Sequence, residues 1–97
     1  MPPVELIMMP YKATYTKSFL RDLKKLERPI QLMLIKYIKK NIDNTTEPRI
    51  KGRALVGNQG EYWRYIVGDY RIIVQIQDSE LLVLAIKVGH RKHVYRR

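Results

Sequence analysis

The sequence predicts an α+β domain, in which two N-terminal helices pack on one face of an antiparallel sheet of about four strands. Three observations carry that expectation. Apolar residues recur at helical spacing through the first half. The second half alternates apolar and polar residues and is punctuated by turn signals. The length, 97 residues, suits one domain with a modest core. A single domain over residues 1–97 is expected, with 1–8 a peripheral extension, because Met8 and Met9 stand just before the first convincing segment.

Taken in order, Tyr11 to Tyr15 is rich in β-formers and reads as a short strand. Thr16 or Ser18 then caps a helix whose apolar stripe is Phe19, Leu23 and Leu26, with Lys17, Arg21, Asp22, Lys24 and Lys25 on the other face. Pro29 ends that helix and suits the first turn of the next, which runs to about Asn41 with Ile30, Leu34, Ile38 and Ile42 as its stripe. The basic residues of this helical hairpin read as its solvated face. After the loop NIDNTTEP come four strand candidates: Arg53 to Val56, Glu61 to Val67, Tyr70 to Gln77 and Glu80 to Val88. GNQG, Gly68-Asp69 and Asp78-Ser79 separate them, and Gly89 ends the last. The last strand is almost continuously apolar, which places it mid-sheet.

Charge narrows the function. Nineteen Lys+Arg against nine Asp+Glu give a net charge of +10, and no acidic residue follows Glu80. A small domain so basic meets polyanions: nucleic acid, the ribosome, an acidic protein or an anionic membrane. The absence of cysteine excludes disulfides, thiolate metal sites and a cysteine nucleophile. Residues 1–10 lack the basic start and long apolar run of a signal peptide, and no apolar stretch approaches the ~20 residues a bilayer requires. A cytoplasmic protein without a membrane partner is expected.

The hairpin turns fix where the arginines fall. A two-residue loop at Gly68-Asp69 pairs Val67 with Tyr70, Ile66 with Arg71 and Arg64 with Ile73. Alternation then puts Tyr62, Arg64, Ile66, Arg71, Ile73 and Gln75 on one face and Trp63, Tyr65, Val67, Tyr70, Ile72 and Val74 on the other. The second set is the better core, Trp63 included. A tight turn at Asp78-Ser79 would pair Arg71 with Ile86, so Arg91 would emerge near the start of Arg71's strand, and Lys87 would sit at a sheet edge. If the tail folds back, Arg64, Arg71, Arg91 and Tyr95 converge on one concave patch. Guanidinium groups match phosphate oxygens in two-point geometry, and preorganised cations stabilise the charge that builds in phosphodiester cleavage. A tyrosine can stack on a base, carry a proton, or simply anchor the tail. The alternative is that the arginines bind a carboxylate partner or solvent.

The string WRYIVGDYR, Trp63 to Arg71, followed by VGHRKHVY, Val88 to Tyr95, resembles the RelE/ParE toxin superfamily, whose members carry a W-R-x-R-x-G-x-Y-R hairpin and a V-G-H-R-x-x-V-Y terminus. SFLRDLKKL in the first helix and ALVG before the second strand extend the resemblance over most of the chain from Tyr11. The resemblance implies a helical hairpin on a curved antiparallel sheet. It implies a toxin that cleaves mRNA in the ribosomal A site through attack of the nucleotide's own 2′-hydroxyl, with no metal or other cofactor needed. Its partners would be the ribosome, mRNA and an acidic antitoxin protein that covers the basic face.

Carried over by motif, Arg71 matches the sheet arginine that contacts the scissile phosphate. Arg91 matches the terminal arginine that stabilises the transition state, and Tyr95 the tyrosine that stacks on a base and helps with the proton. Arg64 stands where some members place a lysine. Two departures stand out: Ile66 replaces the hairpin's second arginine, and Tyr62 a lysine of some members. Arginine stays protonated, so Arg64 is a poor general base. The base is left open between Tyr95, set among cations, and the two histidines, His90 and His93, whose type titrates near neutrality. The catalytic set is therefore Arg64, Arg71, Arg91, Tyr95 and His90, and the further RNA contacts are Lys51, Arg53, Tyr62, Lys92, His93, Arg96 and Arg97. Two other classes compete: a ParE-like, non-enzymatic inhibitor of DNA gyrase, and a plain RNA- or ribosome-binding protein with a degenerate site. The VGHRKHVY terminus favours the nuclease.

Overall fold

The structure is a computed structural model that describes residues 9–55 and 62–95. Strand β1 (Lys12–Tyr15) leads into helix α1 (Lys17–Lys24) and helix α2 (Arg28–Tyr37), which is prolonged by a π turn (Ile38–Ile42). Strands β2 (Arg53–Ala54), β3 (Tyr62–Val67) and β4 (Tyr70–Gln77) follow, then a 3₁₀ turn (Asp78–Glu80) and β5 (Leu82–His90). The sheet has five strands in the order β1-β5-β4-β3-β2, and β5 lies inside it as its apolar run predicts.

Helix α1 starts where Thr16 Oγ1 accepts the Phe19 N–H at 3.0 Å, satisfying one of the first-turn donors. Phe19 and Leu23 are its buried residues. Helix α2 carries Pro29 in its first turn, where the missing N–H is harmless. Its stripe steps by four residues through Ile30, Leu34, Ile38 and Ile42, and on an α-helix each such step drifts about 40° around the cylinder. The π turn, closed by the Asp43 N–H on the Ile38 carbonyl at 2.8 Å, absorbs the drift and leaves Ile38 and Ile42 both buried. These side chains pack on one face of the sheet with Tyr65, Val67, Ile72, Val74, Ile76, Val83, Ala85 and Val88, while Trp63 and Tyr70 lie partly buried against them.

Three expectations require correction. The sheet is mixed, because β1 joins it as a fifth strand, parallel to β5 with Lys12 opposite Leu82. The chain crosses over through both helices between β1 and the rest of the sheet, and such a crossover delivers a parallel strand. Asp78-Ser79 is not a two-residue turn. Gln77 pairs with Leu82, and Leu81 takes a left-handed φ of 54° that leucine seldom adopts and that sequence does not signal. A bulge opposite Ile73/Val74 adds another residue on β5, so Arg71 pairs with Gly89, not with Ile86.

Loops close the ends. The outer edge of β1 is covered by the loop after α2: Tyr11 N–H donates to the Thr45 carbonyl, Asn44 N–H to the Tyr11 carbonyl, and Ala13 N–H to Asp43 Oδ1. At the β4–β5 turn, Asp78 accepts from Arg49 Nη1 at 2.9 Å and from the Tyr11 hydroxyl at 2.6 Å, which hold its carboxyl below the usual aspartate range. Of the expected Arg53 to Val56 strand, Arg53–Ala54 forms β2, and Val56 lies outside the described residues. Residues 1–8, the GNQG segment, Glu61, Arg96 and Arg97 lie outside the described residues.

Candidate functional site

The β3–β4 hairpin has the expected register throughout, from Tyr62 opposite Gln75 to Val67 opposite Tyr70. Gly68 takes a φ of +58° and begins a two-residue turn, as hairpin twist demands. Arg64, Ile66 and Arg71 consequently share the face away from the helices. Arg71 is fixed there by its own turn, with Nη1 donating to the Gly68 and Tyr70 carbonyls, both at 2.9 Å.

The tail reaches the same place because β5 ends beside that turn. Arg91 N–H donates to the Asp69 carbonyl at 2.7 Å, and Arg91 Nε lies 3.6 Å from the Asp69 carboxylate. Both side chains are more than half exposed, so this ion pair is weak and easily exchanged. The chain then turns back. His93 and Val94 N–H groups both donate to the His90 carbonyl, and Val94 is buried against Gly89. This brings the Tyr95 hydroxyl to 3.0 Å from Arg64 Nη1, with the guanidinium 5.9 Å from the ring centroid. Arg64 Nε is buried without a hydrogen-bond partner among the described residues.

The result is an open pocket of about 480 Å³ lined by Arg64, Ile66, Arg71, Arg91, Lys92 and Tyr95. Its described lining holds four cations and no carboxylate. Arg64, Arg71, Arg91 and Tyr95 are thus brought together, and Lys92 joins them. Ile66, read from sequence as a lost cation, forms an apolar part of the lining and is 44 % exposed. Its place opposite Arg71 in the register was the signal for that role. Asp69, whose carbonyl accepts the Arg91 N–H, carried no signal beyond its position in the turn.

The other expected residues are dispersed. Neither histidine lines this pocket. His90 and His93 line a separate hollow with Asp22 of α1 and with Lys25 and Leu26 just past its end, so the structure does not assemble His90 with the arginines. Lys51 contacts Asn41 at the end of α2 and lines a hollow there. Its carbonyl accepts the Trp63 indole N–H at 2.6 Å, which ties the loop before β2 to β3. Arg53 is exposed opposite Arg64, and Tyr62 is exposed on the Arg64 face, so both flank the pocket without lining it. Lys87 lies beyond Ala85, where pairing with β1 ends, on a stretch of β5 edge whose Val88 N–H donates to Asp22 Oδ2 at 3.2 Å.

Comparison with known proteins places the chain in a family. The ParE toxin family of type II toxin–antitoxin systems (parDE) matches residues 13–95. The chain belongs to that toxin family. Toxin RelG of Mycobacterium tuberculosis is 29% identical over 89 residues, which span 92% of this chain and all of that protein. A chain of the Mycobacterium tuberculosis toxin–antitoxin complex RelBE2 superposes with a TM-score of 0.76 at 26% identity, covering 87% of this chain and 94% of the other. The isolated RelE toxin of E. coli shares the fold, with a TM-score of 0.67 at 23% identity over 82% and 83% of the two chains. The toxin is therefore a RelE-like member of the RelE/ParE superfamily, and its two helices on a five-stranded mixed sheet are the RelE architecture.

Proposed function

We propose that this toxin is a ribosome-dependent endoribonuclease that cuts mRNA in the A site and so arrests translation. The observation that carries the reading is the convergence of Arg64, Arg71, Arg91 and Tyr95 on one pocket, each matching a family motif position.

The geometry suits cleavage by the substrate's own 2′-hydroxyl. That oxygen attacks the adjacent phosphorus, the bond to the 5′-oxygen breaks, and a 2′,3′-cyclic phosphate and a 5′-hydroxyl result. Arg71 holds the phosphate: two of its five donors fix it to the turn, and Nη2 and Nε are left for oxygens. Arg91 exchanges its loose contact with Asp69 for the charge that develops on the phosphorane, the role in which a preorganised cation contributes most. Tyr95, of the groups left open for the proton, is the one that lines the pocket. As the tyrosinate it takes the 2′-hydroxyl proton and then returns it to the leaving 5′-oxygen, or it stacks on the base, while Arg64 holds its oxygen and neutralises the phosphate. Ile66 offers an apolar surface to a nucleobase. Lys92, Arg53 and Tyr62 extend the surface along the RNA, with Arg96 and Arg97 adding charge.

The function implies a cytoplasmic site of action, and no helix among the described residues is long and apolar enough to cross a membrane. It also implies an antitoxin. Solved relatives include toxin–antitoxin complexes, and an acidic partner laid over the four cations would silence the pocket. Primer extension on mRNA held in purified ribosomes, beside the same mRNA free in solution, tests the reading. A cut confined to the A-site codon of the bound message is expected. No cut in either sample would refute it and leave gyrase poisoning, the ParE-like alternative, as the next assay.

A further inference from the structure

The proposed reaction leaves both histidines unused, yet His90 is joined to the cationic pocket through the backbone. It is the last residue of β5, and its carbonyl accepts the His93 and Val94 N–H groups, each at 2.9 Å. Its imidazole Nδ1 accepts the Lys92 N–H at 3.1 Å. A side chain at i that accepts from the backbone N–H at i+2 is the pattern of an Asx turn, ordinarily made by aspartate or asparagine. Here an imidazole fills the same place. Tyr70, its cross-strand partner, sets the ring edge-on, with centroids 5.5 Å apart and planes at 79°. Arg91, spanned by this contact, and Lys92, at its far end, both line the pocket, and Tyr95 ends the same turn.

We propose that His90 is a positioning residue whose neutral Nδ1 holds the 91–95 turn in the form that presents Arg91, Lys92 and Tyr95 to the pocket, and whose protonation releases it. The effect on cleavage rests on the nuclease reading; the state of the turn does not. Acceptance at Nδ1 requires the neutral ring with its proton on Nε2, because an imidazolium donates from both nitrogens and has no acceptor. Histidine ordinarily gains that second proton between pH 5 and 8. The charged and titratable groups around the ring are Asp22 from α1, Lys25 at its C-cap, Tyr70 from β4, Lys87 from β5, and Arg91, Lys92 and His93 in the turn. Cations dominate that set, and the one carboxylate, Asp22, already accepts the Val88 N–H. A protonated ring therefore turns away from Lys92 N–H and from its cationic neighbours, and the turn loosens.

Two readouts on the full chain test this. The first is hydrogen exchange of the Lys92 amide by NMR, comparing wild type, His90→Ala and His90→Asn at each pH. Protection is expected in wild type and His90→Asn at pH ~7.5 but not in His90→Ala, since asparagine supplies a non-titrating acceptor. On acidification wild type should lose protection and His90→Asn keep it. The second is cleavage of ribosome-bound mRNA. His90→Ala should slow it roughly two- to tenfold, the worth of one hydrogen bond, with rescue by His90→Asn. The rate of wild type relative to His90→Asn should fall several-fold on acidification, and His93→Gln should keep the wild-type pH profile. Equal Lys92 protection in wild type and His90→Ala, or a ratio that does not change with pH, would overturn the proposal. A wild type that cuts nothing on the ribosome would defeat the nuclease reading instead, and Lys92 exchange would still decide the turn.

Discussion

Replacing Gly52 by alanine adds a single methyl group where the chain has no room for it. Gly52 has a φ of +80°, and a Cβ built there would lie 2.1 Å from the Arg64 carbonyl oxygen and 2.9 Å from Trp63 Nε1. The first contact falls about 1.3 Å short of the 3.4 Å at which contacts become ordinary, and the obstructing atom is backbone that cannot rotate away. Gly68 provides the comparison: its φ is +58°, but nothing lies within 4 Å of a Cβ. Gly68→Ala therefore isolates the conformational strain, roughly 1–2 kcal/mol. Gly52→Ala adds overpacking of roughly 1–3 kcal/mol, for a total of about 2–5 kcal/mol. Against the 5–15 kcal/mol typical of a domain, that is a large fraction, and it should lower the melting temperature by about 10 °C or more. Guanidinium unfolding and thermal melts followed by circular dichroism measure both variants. Gly52→Ala within ~0.5 kcal/mol of wild type, or no costlier than Gly68→Ala, would refute the argument that the loop before β2 is pressed onto the strand carrying Arg64.

Other expectations concern the pocket and the titrating groups. Arg91→Ala and Tyr95→Phe should each slow ribosomal cleavage by about a hundredfold while leaving the thermal melt unchanged, since both side chains are about half exposed; full activity in either folded variant would remove that residue from the mechanism. Burial pushes the Tyr65 hydroxyl, which donates to the Pro48 carbonyl at 2.5 Å, far above the usual tyrosine range. The folded state keeps the phenol neutral, so stability is intact below the unfolded value near 10 and is lost as pH rises beyond it. Tyr65→Phe should cost about 1 kcal/mol at neutral pH yet flatten the alkaline loss, and urea titrations with identical alkaline slopes would contradict this. Asp78 has the opposite sign: held low by Arg49 and then Tyr11, it contributes above the unfolded value of 3.8 and loses that contribution as pH falls. Solvent screens this exposed pair, so Asp78→Asn should remove less than about 1 kcal/mol of acid-dependent stability, and a loss several times larger in acid unfolding would refute the screened-pair picture.

What could be read from the sequence was local. Gly68-Asp69 specified a two-residue turn, and from that turn alone the pairing of all six β3 residues, the sidedness of Arg64 and Arg71 and the core face containing Tyr65 and Ile72 followed. The helix stripes followed from period in the same way. The β4–β5 register did not, because it depends on Leu81 adopting a left-handed conformation and on one bulged residue, and neither has a compositional signature. Arg91 nevertheless came out near Arg71: the true register places it two residues past Gly89, Arg71's partner, closer than the five residues past Ile86 first expected. The fifth strand was legible as a strand but not as a member of the sheet, since a parallel partner far along the chain leaves no local trace. The hollow that His90 lines was not legible, because motif adjacency to Arg91 says nothing about which way a turn directs a side chain.

The parallel pairing of β1 with β5 has a kinetic consequence. It joins Lys12 to Leu82, across 70 residues, whereas the β3–β4 hairpin closes over two. Closing the long loop carries the larger entropic barrier, so the meander of β3, β4 and β5 should order first and β1 should lock in afterwards. Every residue of the pocket belongs to that meander or to the turn that follows it. The slow event in folding should thus involve no pocket side chain, and substitutions along β1 should change how fast the native state is reached or left while the pocket keeps its geometry.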